Sequence, residues 1–313
     1  MSAAVLYHVR HETAYAYGSD VAHSHQLLHL VPRPAPYQQC LEHTIEIAPA
    51  AFRRREELDA FGNPVTRVEL EHPHRELRVT TDMEVEVHPR PAIPASETIA
   101  WDRLVARFAY TGRSPAREDL EATRFRSESP YVRVKRMFTD YTEDCFPADA
   151  PLLVCAQALM TKLHTELKYA PGATTIATPV TEVLEIRRGV CQDFAHLMIA
   201  CLRSRGLAAR YVSGYVRSLV GSAASHAWVA VYTPPYGWLE LDPTNDTLIG
   251  TDHIAVAWGR DFGDVSPLRG IILGGGSHRL SVDVRVEQPA KTTLFAGGNG
   301  ADVRKSAAGD FFQ

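Results

Sequence analysis

The stretch Gly189-Val190-Cys191-Gln192-Asp193-Phe194-Ala195-His196-Leu197 places a cysteine between a glycine and an amphipathic run. Apolar residues recur after the cysteine at three- and four-residue spacing, which is typical of a helix with one buried face. Gly189 interrupts the preceding segment, so we predict that Cys191 lies at the start of this helix. The unpaired N–H groups and the positive dipole end at a helix start favour a thiolate, the nucleophilic form of cysteine.

Composition limits the classes to which the chain can belong. Its 313 residues suit two domains, and 45% hydrophobic with 22% charged residues is typical of a soluble globular protein. A net charge of −4 gives no general attraction to nucleic acid or anionic membrane, and we expect neither as a partner. We see no secretory signal and no apolar run long enough to span a bilayer. Five cysteines without a C-x-x-C pair argue against a disulfide framework or a zinc knuckle, so we expect a cytoplasmic protein without a metal or cofactor.

Residues 1–94 are predicted to form a β-sandwich-like module. Polar and apolar residues alternate along 41–47 and again along 79–87, as in half-buried strands. The proline-rich segment 88–94 is typical of a domain junction. We therefore expect an α+β chain with a catalytic domain at 95–287, which begins with a helical lead-in, and a weakly ordered tail at 288–313.

A predicted β-hairpin follows the cysteine helix. Residues 226–232 and 237–242 alternate, and the prolines between them supply a turn. If the turn is centred on Pro234, His226 and Asp242 lie directly opposite one another, and if it is centred on Pro235 they are diagonal neighbours on the same face. A centre between two residues would place them on opposite faces.

These three side chains fit one chemistry. A cysteine nucleophile needs an imidazole to exchange its proton, and the imidazole needs a third group to fix its orientation and tautomer. Cys191, His226 and Asp242 supply these groups, so we predict a catalytic triad.

The sequence also resembles the transglutaminase-like proteins of the papain-like cysteine-enzyme class. The stretches that carry the resemblance are Arg188-Gly189-Val190-Cys191-Gln192-Asp193-Phe194-Ala195-His196, Ala209-Arg210-Tyr211-Val212-Ser213-Gly214-Tyr215, Ser225-His226-Ala227-Trp228-Val229 and Gly237-Trp238 through Leu241-Asp242-Pro243-Thr244-Asn245. The segments 7–34 and 259–270 resemble the bacterial branch of that family, which has a β-rich N-terminal region.

The resemblance implies a papain-like core in which a helix carrying the cysteine packs on an antiparallel sheet. It implies that Cys191 is the nucleophile, His226 the general base and acid, and Asp242 the orienting carboxylate. The reaction would be attack on an amide carbonyl of a peptide or protein, giving a thioester that water or an amine resolves. The oxyanion would be stabilised by the backbone N–H of Cys191 and, by a looser match, by Tyr169.

Other side chains admit two interpretations. Gln192, Trp228 and Trp238 are candidates for a substrate cleft, although both tryptophans could instead pack under the hairpin. His196 should point away from the thiol, because five helical residues correspond to a rotation of about 140°. The N-terminal histidines at 8, 11, 23, 25 and 29 could form metal-binding pairs, but surface or packed histidines are the more common case.

Three functions remain open from the sequence. We expect a protease- or amidase-type hydrolase, and we see no calcium-binding loop in the chain. A protein-glutamine transglutaminase uses the same residues, because the outcome depends on whether an amine or water reaches the thioester. A catalytically idle binding module with the same fold is the third alternative.

Overall fold

The computed structural model describes residues 3–109, 116–217 and 225–289, so residues 290–313 of the expected tail lie outside it. The strands are β1 (Val5–Leu28), β2 (Gln38–Ala48), β3 (Arg53–Leu58), β4 (Pro64–Leu70), β5 (His74–Val87), β6 (Lys168–Tyr169), β7 (Arg188–Gly189), β8 (Ala209–Val216), β9 (His226–Tyr232), β10 (Trp238–Asp242), β11 (Thr247–Leu248), β12 (His253–Gly259), β13 (Leu268–Gly274) and β14 (His278–Glu287). The helices are α1 (Trp101–Arg107), α2 (Arg117–Thr123), α3 (Arg136–Tyr141), α4 (Leu152–Glu166), α5 (Val180–Ile186), α6 (Cys191–Ser204) and α7 (Phe262–Val265), with 3₁₀ turns at Ala95–Glu97 and Glu143–Cys145. Among these residues, no helix has both the length and the apolar composition needed to cross a bilayer.

The N-terminal sheet is built around the long strand β1. Along one edge, the first half of β1 pairs with β5 and its second half with β4. Along the other edge, the first half pairs with β14 and the second with β13. Strand β2 extends the sheet from β5, and β3 extends it from β4. Because β1 runs through both halves, hydrogen bonds join all these strands into one sheet.

The two halves of this sheet face each other. One apolar cluster combines Ile45 of β2 with Val68 and Leu70 of β4. Across the same space, Arg54 of β3 donates to the carbonyl of Ile45 at 2.9 Å. The predicted strand-rich N-terminal region is confirmed, and its sandwich-like form comes from a single folded sheet.

The C-terminal strands change the expected division of the chain. We predicted that 95–287 would form one catalytic domain, but residues 268–287 pair with β1 in the N-terminal sheet. The sequence could not show this, because β13 and β14 have ordinary strand composition and their partner lies about 250 residues earlier along the chain.

The second sheet carries the predicted hairpin. It is antiparallel in the order β11-β10-β9-β8-β12, and α6 packs against it. Phe194, Leu197 and Met198 of α6 share one buried cluster with Val229 and Val231 of β9. The predicted core, a cysteine-bearing helix on an antiparallel sheet, is confirmed.

Two side-chain amides join the two sheets. Strand β12 lies at an edge, so its outward backbone groups need partners from elsewhere. Gln38 accepts from the N–H of Ala255 at 2.8 Å and donates to its carbonyl at 2.7 Å. Asn63 likewise accepts from the N–H of Trp258 at 3.0 Å and donates to its carbonyl at 2.9 Å. The N-terminal region therefore covers this edge of the second sheet.

We expect Gln38→Ala to lower the free energy of unfolding by about 2–6 kcal/mol. The substitution leaves the N–H and the carbonyl of Ala255 buried without partners, at about 1–3 kcal/mol each. Urea denaturation measures the change. The neighbouring Gln39 is exposed, so Gln39→Ala should change stability by no more than about 0.5 kcal/mol. Equal losses in the two variants would contradict the proposed role of the amide.

Candidate active site

The start of α6 is fixed by the side chain of Asp193. Its Oδ2 accepts from the backbone N–H of Val190 at 2.8 Å and from the hydroxyl of Thr174 at 2.7 Å. The carboxylate occupies the space beside Gly189, where a Cβ would lie 2.5 Å from Oδ2. Glycine is therefore required there, and the turn that presents Cys191 is held on both sides.

Asp193 was not singled out from the sequence, although a signal for it exists. An acidic residue at the third position of a helix commonly bonds back to the N-cap N–H. The carboxyl group is 3% exposed, and burial raises its pKa against the lowering effect of the bonds from Thr174 and Val190. Its bonds to the Cys191 turn make it part of the framework of the site.

The hairpin has the diagonal register. Trp238 pairs with Tyr232, which centres the turn on Pro235. His226 and Asp242 therefore lie on one face as diagonal neighbours, and Nε2 of His226 is 2.8 Å from Oδ2 of Asp242. Both side chains are buried, so solvent does not weaken this bond.

The two ring nitrogens of His226 have different surroundings. Nε2 donates to Asp242, whereas Nδ1 is buried and has no hydrogen-bond partner among the described residues. Burial alone lowers the pKa of His226, but the bond to Asp242 and the interaction with Cys191 outweigh it and raise the pKa to about 9. Because Asp242 occupies Nε2, Nδ1 is the nitrogen left for the Cys191 thiol.

Asp242 is surrounded by donors. Besides His226, its Oδ2 accepts from Asn245 Nδ2 at 2.7 Å and lies 3.2 Å from Nε2 of His253. Its Oδ1 accepts from the backbone N–H of Thr244 at 2.9 Å. Burial alone raises the pKa of Asp242, but these bonds, led by that from His226, hold it well below its usual range. The carboxylate stays charged although it is fully buried.

Two of these donors were missed in the sequence. Asn245 lies within the stretch Asp242-Pro243-Thr244-Asn245 that we quoted, and its position three residues after the aspartate suits a local side-chain turn. His253 comes from β12, and its position depends on a register shift between Ala255 and Ala257. No local pattern in the sequence predicts that shift.

The predicted oxyanion donors lie beside the thiol. Tyr169 pairs with Gly189 through the short parallel ladder β6–β7. Burial raises the pKa of Tyr169, and the nearby Cys191 adds to the increase. Asp193 takes the N–H of Val190, whereas that of Cys191 has no acceptor within the described ranges. Tyr169 and the backbone N–H of Cys191 therefore stay the predicted oxyanion donors.

The three cleft candidates separate in the structure. Gln192 is half-buried beside Cys191 and remains a candidate. Trp228 is fully buried and donates to Glu240 at 2.9 Å, so the cleft interpretation is wrong and this side chain packs beneath the hairpin. Trp238 is half-buried and lines a cavity of about 260 Å³ between the hairpin and the 90–93 segment. It also stacks on Arg210, with the guanidinium carbon 4.3 Å from the ring centroid.

The other thiols are in unfavourable settings for a nucleophile. Cys145, Cys155 and Cys201 are buried, and burial raises the pKa of the first two to about 11 and that of Cys201 further. Cys40 is half-buried, and burial also raises its pKa. Cys191 is the half-buried thiol next to an imidazole.

The remaining histidines have packing roles where the structure shows their partners. His196 accepts from the N–H of Phe262 at 3.1 Å, and burial lowers its pKa to about 3, as suits a neutral core residue. His11 bonds to Tyr215 at 2.8 Å across the two sheets. His29 lies 3.1 Å from the carbonyl of Ser266.

One cluster of three side chains has the ligand types to hold a metal ion. Within the described residues, ligand atoms of His226, Asp242 and His253 lie within 4.8 Å of one another. Two histidines and a carboxylate suit zinc, but Asp242 already accepts several N–H bonds. Among the described residues, the Nδ1 atoms of both histidines also have none of the outer partners that usually orient metal ligands. The arrangement suits proton transfer better than metal binding.

Comparison with known proteins identifies the family to which the chain belongs. Residues 7–86 match the bacterial transglutaminase-like N-terminal region, and residues 140–243 match the transglutaminase-like superfamily. An uncharacterized protein of Mycobacterium tuberculosis is 38% identical over 298 residues, which is 90% of this chain and 91% of the relative. The chain therefore belongs to the transglutaminase-like superfamily, a branch of the papain-like cysteine enzymes.

Two further relatives bear on the fold and on the core. A solved structure from Cytophaga hutchinsonii, named a "Putative Cysteine Protease", superposes with a TM-score of 0.73 over 92% of both chains at 18% identity. At this low identity, the superposition shows a common fold alone. A protein-glutamine gamma-glutamyltransferase of Pseudomonas aeruginosa is 34% identical over 104 residues, covering 28% of this chain and 16% of the relative.

Proposed function

We propose that the protein is a cysteine hydrolase that cleaves amide bonds of peptides or proteins through a thioester intermediate. One observation carries the proposal. The buried His226 binds Asp242 through Nε2 at 2.8 Å, which leaves Nδ1 for the thiol of Cys191 at the start of α6. A thiol, an imidazole and an orienting carboxylate are the groups that nucleophilic acyl transfer requires.

The first half of the reaction forms the thioester. In the reactive form, the proton of the Cys191 thiol is on Nδ1 of His226, and the thiolate sulfur attacks the carbonyl carbon. The oxyanion of the tetrahedral intermediate would accept from the backbone N–H of Cys191 and from the hydroxyl of Tyr169. The carbon–nitrogen bond then breaks, and the amine leaves with the proton that His226 returns from Nδ1.

The second half repeats these steps with water. His226 takes a proton from water as its oxygen attacks the thioester carbon. When the intermediate collapses, the carbon–sulfur bond breaks and the carboxylic acid leaves. The sulfur of Cys191 leaves as the thiolate beside the protonated His226, so the site returns to its starting state. Asp242 remains charged throughout and holds the tautomer of His226.

Amine transfer is the second candidate. The similarity of the core to a gamma-glutamyltransferase over 104 residues favours it. In that reaction, the thioester forms on a glutamine side chain and a primary amine replaces water. The idle binding module is less well supported, because a scaffold has no physical need for a buried carboxylate that orients an imidazole toward a thiol.

Mass spectrometry of a peptide library distinguishes the candidates. The library should contain internal glutamines and be incubated with and without a primary amine. We expect cleaved or deamidated peptides, with the same products when the amine is present. Amine-bearing products as the main species would indicate a transglutaminase, and an unchanged library would indicate a binding module.

We also propose that the protein works in the cytoplasm. All five cysteines are free, and a reducing compartment preserves a thiol nucleophile. Cell fractionation with an antibody to the chain tests the location, and recovery outside the cytoplasmic fraction would contradict it.

A further inference from the structure

We propose that His253 is a positioning residue for Asp242, and that its hydrogen bond sets how strongly the carboxylate holds His226. The inference rests on the proposed function, because it concerns the same site. His253 lies at the start of β12, outside the hairpin that carries the other two side chains.

The geometry places two imidazoles on one oxygen atom. Nε2 of His226 lies 2.8 Å from Oδ2 of Asp242, and Nε2 of His253 lies 3.2 Å from the same oxygen. Both histidines are buried, at 2% and 3% exposure. The backbone N–H of Thr244 occupies the other carboxylate oxygen at 2.9 Å, which prevents rotation toward a different arrangement.

The environment of His253 selects its hydrogen-bonding form. Its Nδ1 is buried and has no hydrogen-bond partner in the part of the chain that the structure describes. The tautomer with its proton on Nε2 donates to Asp242 and leaves no N–H on the buried Nδ1 that would need an acceptor.

The ring of His253 is also held in place by Trp228. The indole meets it edge to face, with centroids 5.3 Å apart and planes at 76°. Glu240 fixes the indole by accepting from Nε1 at 2.9 Å. A Cβ at Gly214 would lie 2.5 Å from the indole ring, so the strand behind Trp228 needs glycine. His253 therefore cannot turn away from Asp242 without displacing this packing.

The second donor changes the balance between Asp242 and His226. A carboxylate that accepts from His253 has less negative charge available for the imidazolium of His226. Removing that donor should strengthen the hold on the proton of His226, whose pKa is already raised to about 9 by Asp242 and Cys191 against burial. It should also leave the carboxylate less firmly oriented.

The expected change in the pH dependence of turnover follows from the raised pKa of His226. Because the pKa of His226 is raised from 6.5, its protonated form persists at neutral pH and is lost as the pH rises through about 9. The alkaline limb of turnover reports this loss. Titratable groups from four elements surround the His226–Asp242 pair. Cys191 of α6 and His253 of β12 interact with it directly. Glu240 of β10 is linked to it by way of the Trp228 indole, and His164 of α4 lies with Nδ1 3.0 Å from the carbonyl of Thr244.

The test compares His253→Phe, which removes the donor, with His253→Gln, which keeps an amide N–H near the position of Nε2. His25→Gln serves as a control at an exposed histidine. We expect His253→Phe to lower kcat about tenfold with KM unchanged. Its alkaline limb should move up by about one pH unit. His253→Gln and His25→Gln should keep the wild-type limb.

An NMR titration of the His226 ring in the same variants measures its titration midpoint independently of catalysis. A titration midpoint in His253→Phe equal to that of the wild type would overturn the proposal. The proposal would also be overturned if His253→Phe lost thermal stability and kcat while the alkaline limb of its pH profile stayed at the wild-type position. That pattern indicates a structural role alone. If the wild type cleaves no amide but the His226 midpoint moves as expected, the proposed function fails and the positioning role stands.

Discussion

Cys191→Ala should abolish amide turnover while leaving the fold intact. The substitution removes the sulfur that forms the thioester in the proposed mechanism, and loss of a nucleophile in such a site costs about 10⁴-fold or more in kcat. The side chain is half-buried at the start of α6, so its loss should disturb packing little. Initial rates on a peptide identified in the library screen measure the effect, and circular dichroism with a thermal melt reports the fold.

Cys40→Ala is the matched control for this variant. Cys40 is also half-buried, but it lies on β2 and its thiol donates to the carbonyl of Glu42. We expect it to keep wild-type turnover. Retained activity in Cys191→Ala would contradict the assignment of the nucleophile, and equal losses in both variants would point to a general effect of removing a thiol.

Asp242→Asn should cause the next largest loss, about 10³–10⁴-fold in kcat. An amide offers one accepting oxygen, whereas Asp242 accepts on both oxygens from buried donors. With the amide NH₂ facing His226, Nε2 must become the acceptor and the proton moves to Nδ1. The ring can then no longer accept the proton of Cys191. Some stability should be lost as well, because Asn245 and His253 lose the oxygen that accepted from them.

Asp246→Asn is a control with the same chemical change four residues later. Asp246 lies in the loop after β10 at a φ of 50°, a conformation that asparagine tolerates, and it accepts from the hydroxyl of Thr161 at 2.8 Å. We expect nearly unchanged turnover. The comparison is made by steady-state kinetics, and wild-type kcat in Asp242→Asn would remove the carboxylate from the mechanism.

The parts of the fold that were predicted from the sequence depend on local patterns. The apolar spacing after Cys191 predicted α6, and the alternation around the prolines predicted the hairpin that joins His226 and Asp242. The choice between the two registers needed the structure, because the centres Pro234 and Pro235 both place the two side chains on one face.

The parts that were not predicted depend on contacts between distant segments. His253 reaches Asp242 only through the register of β12, and Gln38 reaches Ala255 only after the two sheets dock. The pairing of residues 268–287 with β1 has the same origin. Trp228 could not be placed either, because its burial depends on what covers the hairpin face. Asp193 is the exception, since its position in the helix start was readable.

The central claim is that Cys191 carries the acyl group of an amide substrate. It is tested most directly by intact-protein mass spectrometry after rapid acid quenching of wild-type protein with a substrate from the library. We expect a mass increase equal to the acyl part, located on the peptide that contains Cys191, removed by hydroxylamine and absent in Cys191→Ala. Product formation with no such adduct, or the same adduct in Cys191→Ala, would contradict the account.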